Sequence, residues 1–155
     1  MYLRNCWYVA GWSKDYGRTL KPEKYLGENI VIYRKQDGTP AALENACPHR
    51  KVPLSNGTLT EDNIICAYHG LTFNDKGQCT DSPTQRGMTP RRAVVRSYPI
   101  VDKYRLLWIW MGDPELADPD KIFPIDNFEN PMWGSTDGGV LDIKCNYLWV
   151  CDNLL

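Results

Sequence analysis

Only two histidines occur in these 155 residues, and each stands beside a cysteine. Cys47-Pro48-His49 reads C-x-H. After sixteen intervening residues, Cys66-Ala67-Tyr68-His69 reads C-x-x-H. Two thiolates and two imidazoles make a donor set soft enough for a transition metal. The pattern also constrains the fold, because two loops distant in sequence must be held side by side. Zinc takes the same donors, but its motifs usually pair Cys with Cys and His with His. Here the two kinds are mixed within each loop. That mixing matches a two-iron, two-sulfide cluster in which two Cys hold one iron and two His hold the other. Each loop then reaches both irons. The candidate ligands are Cys47, His49, Cys66 and His69.

The chain holds six cysteines. Cys6, Cys79, Cys145 and Cys151 are scattered among mostly apolar neighbours, as free thiols are. Cysteine-held iron also favours a reducing compartment. The net charge of −1 argues against nucleic acid as a partner. No apolar run approaches the ~18 residues of a membrane span, and no signal peptide opens the chain. It reads as soluble and cytoplasmic, with no membrane contact.

In order, residues 4–10 are an aromatic, β-branched opening strand and residues 13–24 a polar loop. Residues 29–34 form a strand, Asp37-Gly38 marks a hairpin turn, and residues 40–46 return to deliver Cys47. Ile64-Ile65 leads into Cys66. Residues 71–74 and 78–79 flank a turn at Asp75-Lys76-Gly77. Residues 80–92 read as loop and 93–98 as strand. Residues 106–111 are apolar on both faces, so this strand is central, with Trp108 and Trp110 as core. Residues 115–124 are rich in Pro, Asp and Ala and look like a linker. A helix beginning near Lys144 places Ile143, Tyr147, Val150 or Cys151, and Leu154 on one face, with Asn146 and Asn153 on another. The fold class is mostly β: residues 1–112 form a domain of short antiparallel strands, 113–124 are a linker, and 125–155 begin a second domain.

The two ligand loops resemble those of Rieske proteins. Respiratory Rieske proteins carry an extra disulfide-forming Cys in each loop. Val52 and Tyr68 occupy those positions here, so the resemblance is to the soluble branch. Arg-Asn-x-Trp-Tyr-Val-Ala at 4–10, Cys-Pro-His-Arg at 47–50, Tyr-His-Gly-Leu at 68–71, Trp-Ile-Trp-Met-Gly-Asp-Pro at 108–114, Cys-Asn-Tyr at 145–147 and Asp-Asn-Leu at 152–154 narrow it further. The whole chain is similar to Rieske non-haem iron aromatic-ring oxygenases, in the group of vanillate O-demethylase, dicamba O-demethylase and toluenesulfonate monooxygenase.

That resemblance implies a Rieske [2Fe–2S] cluster, electrons from an NAD(P)H-dependent flavin and iron–sulfur reductase, a homotrimer, and a small aromatic substrate. His69 would be the side from which electrons leave. In the family the Asp-Asn-Leu helix continues into D-x-x-H-x-x-x-x-H, whose His help to hold a mononuclear Fe(II). The chain stops before that motif. It is therefore expected to be a Rieske domain plus the first helix of a truncated α+β catalytic domain, with no oxygenase activity alone and no catalytic residue of its own. The alternative is a stand-alone Rieske ferredoxin, which leaves residues 113–155 without a role. Arg50, Lys51, Arg86, Arg91 and Arg92 could form a basic docking face, although a solvated surface is the plainer reading.

Overall fold

Alternation along one strand divides the interior in two. Residues 30–33 (Ile-Val-Ile-Tyr) are all fully buried. Successive side chains on a strand point to opposite faces. Ile30 and Ile32 accordingly join Leu107, Ile109 and Met111 in one core. Val31 and Tyr33 join Leu43, Leu54, Ile64 and Phe73 in another. A continuous apolar run thus marks a strand covered on both sides. The computed structural model describes residues 2–155 except 84–88, 91 and 137, and for Asp126 it describes the backbone alone.

The described strands are β1 (Trp7–Trp12), β2 (Lys21–Tyr25), β3 (Glu28–Arg34), β4 (Pro40–Glu44), β5 (Thr58–Thr60), β6 (Asn63–Ile65), β7 (Thr72–Phe73), β8 (Cys79–Asp81), β9 (Ile100–Lys103) and β10 (Leu106–Trp110). They form three antiparallel sheets in the orders β1-β10-β9, β2-β3-β4 and β5-β6-β7-β8. β10 is central in its sheet and wholly buried. The indole N–H of Trp108 donates to the Lys103 carbonyl (3.0 Å) and that of Trp110 to the Asp113 carbonyl (2.7 Å), so both rings are satisfied as core.

Several expectations change. Residues 21–25 form a strand, not loop, because β2 is an edge strand with half-buried Lys21, Glu23 and Tyr25 alternating with exposed Pro22 and Lys24. An edge tolerates Pro22, which has no N–H to give. Residues 93–98 make only isolated bridges, Gln78 with Val94 and Leu43 with Ser97. Val95 enters one core and Tyr98 the other, so this segment crosses between layers instead of running along one. β5 and β9 were hidden in short, partly polar runs.

Residues 113–122 lie in the first compact unit, Met1–Ile125. Two short 3-10 turns there are capped by Asp113 and Asp118. The Trp7 indole donates to the Asp118 carbonyl (2.8 Å), and Ile122 is buried. The second unit is Asp126–Leu155. Its helix, α1 (Tyr147–Leu154), starts three residues later than expected. Asn146 stands outside it in extended conformation, and its side-chain oxygen accepts from the Leu148 N–H (3.0 Å). Asn146 is therefore an N-cap and shares no helical face with Asn153. No described helix is long and apolar enough to cross a membrane.

Candidate metal centre

β4 runs out just before Cys47, and β6 delivers Cys66 directly. From each cysteine the chain then follows the same course. The Cys47 N–H donates to the Val52 carbonyl (2.8 Å), and the Lys51 N–H returns to the Cys47 carbonyl (2.8 Å). In the second loop the Cys66 N–H donates to the Leu71 carbonyl (2.9 Å), and the Gly70 N–H returns to the Cys66 carbonyl (3.1 Å). Both loops close through a left-handed residue four places after the cysteine, Lys51 at φ +57° and Gly70 at φ +74°. Glycine adopts that region freely, whereas lysine is strained there.

The cysteines point inward. Cys47 is 2% exposed and Cys66 3%, among Leu43, Leu54, Ile64 and Phe73. Burial pushes the Cys47 thiol up. The His49 backbone N–H pulls it back, and the neighbouring Cys66 raises it further. A thiol crowded in such apolar surroundings resists ionisation unless a cation compensates.

The imidazoles face the other way. His49 is exposed and His69 half-buried. Their Nδ1 atoms stand 3.1 Å apart, with ring centroids 4.7 Å apart. Two nitrogens each about 2.1 Å from one metal ion have that separation when the angle at the metal is about 95°. The rings as placed can therefore share one ion. Among the described residues no three or more of His, Cys, Asp and Glu gather around a single point. The donors stand as a thiol pair and an imidazole pair.

A cleft of about 490 Å³ opens over the imidazoles, lined by Pro48, His49, His69, Leu71, Ser82 and Arg92 among others. Arg50, Lys51 and Arg92 are exposed near it, while Arg86 and Arg91 lie outside the described residues. Two neighbours were not among the expected site residues. The Tyr68 ring leans against His69, with 3.8 Å between centroids and the planes tilted by 43°. The Ser82 hydroxyl is fully buried without a hydrogen-bond partner among the described residues.

The sequence profile of the Rieske [2Fe-2S] domain matches residues 6–99, more than half of the chain. This chain belongs to the Rieske family. The family's cofactor is a [2Fe–2S] cluster, and the paired thiols and paired imidazoles fit it. The Rieske chain is 43% identical to a putative toluene-4-sulfonate monooxygenase iron–sulfur subunit of Comamonas testosteroni, over 100% of its own length and 44% of that protein's. It is 40% identical to the oxygenase component of dicamba O-demethylase from Stenotrophomonas maltophilia, over 99% of itself and 45% of that protein. The crystal structure of dicamba monooxygenase bound to dicamba superposes with a TM-score of 0.92 over 99% of the chain and 46% of that structure. The Rieske chain thus spans less than half the length of these relatives.

Proposed function

We propose that the chain carries single electrons as the Rieske domain of an aromatic-ring monooxygenase. Cys47 and Cys66 hold one iron of the cluster as thiolates, and His49 and His69 hold the other through Nδ1. The observation that carries this is the pair of Nδ1 atoms 3.1 Å apart beside a buried thiol pair. The bound cluster supplies a one-electron couple whose potential lies above that of all-cysteine clusters, since neutral imidazole donates less charge than thiolate. The residues do the rest. The buried core keeps water from the thiolates, the backbone bonds of both loops fix the donors, and the outward imidazoles give electrons a short path to the surface.

The relatives align over the whole chain, residues 100–155 included, which favours an oxygenase component over a stand-alone ferredoxin. On this reading residues 1–112 are the Rieske domain, 113–124 the connection and 125–155 the start of a catalytic domain. The parent protein is a cytoplasmic, homotrimeric, O2-dependent O-demethylase or hydroxylase of a small aromatic compound. It draws electrons from an NAD(P)H-dependent flavin and iron–sulfur reductase, and its mononuclear iron lies outside these residues. The test is iron and acid-labile sulfide per purified chain, with the visible spectrum before and after dithionite. Two irons, two sulfides and bleaching are expected. Zinc and no colour would sink the proposal.

A further inference from the structure

Ser82 follows β8 and is fully buried, yet its hydroxyl has no hydrogen-bond partner among the described residues. A buried hydroxyl is normally paired. Ser82 lines the same cleft as His49, His69 and Leu71. The rest of the described wall is apolar (Pro48, Pro90, Ala93) apart from the Arg92 cation. The segment is also pressed onto the second ligand loop. A Cβ added at Gly70 would stand 3.1 Å from the Pro83 ring. Ser82 thus lines the cavity beside the imidazole pair, next in sequence to the proline that packs on the loop carrying His69.

Resting on the function proposed for the chain, we infer that Ser82 is a positioning and tuning residue for the cluster: its O–H donates a hydrogen bond to a sulfur acceptor of the bound group. Reduction adds negative charge to that group, and a donor stabilises the more negative form more. Hydrogen bonds to cluster sulfurs are among the levers that set such potentials. Ser82 thereby holds the midpoint higher than an apolar residue would.

The test compares the purified chain with Ser82→Ala and Ser82→Thr by spectroelectrochemical titration, iron and sulfide content, and visible circular dichroism. Ser82→Ala removes one oxygen and should keep both irons. Its midpoint should fall by an amount equivalent to about a tenfold change in the reduction equilibrium, ~59 mV for one electron. Ser82→Thr, which keeps the hydroxyl, should recover most of that shift. A fully loaded Ser82→Ala protein with the parent midpoint overturns the inference and leaves the ligand assignment intact. A parent chain without sulfide overturns both. Should Ser82→Ala not load, loading of Ser82→Thr supports the hydroxyl's role, and two empty variants overturn it.

Discussion

Replacing Gly70 with alanine is the sharpest test of how the second ligand loop is built. Gly70 holds φ +74°, and its N–H closes the loop onto the Cys66 carbonyl. An L-residue in the left-handed region costs about 1–2 kcal/mol. Alanine recovers about 0.4–1 kcal/mol of that by restricting the unfolded chain. The new Cβ also meets the Pro83 Cγ at 3.1 Å, and that ring can yield only by changing its pucker. Overpacking of this kind adds about 1 kcal/mol or more. The expected net loss is about 1–3 kcal/mol. For a chain of this size that lowers Tm by about 3–8 °C. Iron content should fall as well, because the shifted residue is next to His69. Thermal unfolding of the loaded protein, with iron per chain, reads both. The first loop supplies the control. Lys51 occupies the equivalent position at φ +57° and is exposed, its ammonium 3.4 Å from Glu44. Lys51→Gly relieves its strain but loosens the unfolded chain, so Tm should move by no more than about 2 °C. A Gly70→Ala protein melting with the parent, or a Lys51→Gly protein losing as much as Gly70→Ala, would refute the strain argument.

Three further outcomes are expected. His69→Ala should lose or destabilise the cluster while Cys79→Ala keeps it, read as iron, sulfide and visible absorbance; a colourless Cys79→Ala beside a loaded His69→Ala would reverse the ligand assignment. Leu54→Ala, at a fully buried site in the core beneath both cysteines, should cost about 2–5 kcal/mol in urea unfolding, and a cost below about 1 kcal/mol would show that this core does not support the loops. Burial pushes the Glu28 carboxyl up, but the Tyr98 hydroxyl at 2.6 Å and the Arg4 and Arg96 guanidiniums outweigh it and hold it below the usual range. A depressed carboxylate contributes stability above its unfolded pKa of about 4.3 and loses it as pH falls through the folded value. Glu28→Gln should therefore be less stable by about 1–2 kcal/mol at pH 7, with the gap narrowing by pH 3; an equal gap at both pH values would contradict the linkage.

The meeting of the two Cys-and-His loops was legible because it is written in residue identity: His49 and His69 have no other histidines to be confused with. β3 and β10 were legible because long apolar runs survive any local ambiguity. β2 was not, since its Lys, Pro and Glu are the residues of a loop and only its edge position makes them a strand. Residues 93–98 have β propensity in most letters, but Val95 and Tyr98 serve different cores three residues apart, and the segment bends between two sheets instead of extending either. Asn146 looked like part of a helical face because seven-residue spacing ignores where the helix begins. Nothing in the letters around Ser82 and Pro83 marks a buried, unpaired hydroxyl in the lining of a cleft, since burial there is a matter of tertiary packing.

The matched backbone closure of the two loops bears on speed. The rate at which an electron hops depends on how far the surrounding nuclei must shift when charge arrives. Here four backbone bonds, two per loop, close each loop onto its own cysteine and fix the backbone that carries the donors before any electron is taken up. Such a frame leaves the donors little room to relax between the two oxidation states. With the cluster held as proposed, transfer across it should therefore run quickly in either direction on a small driving force, as suits a relay more than a store.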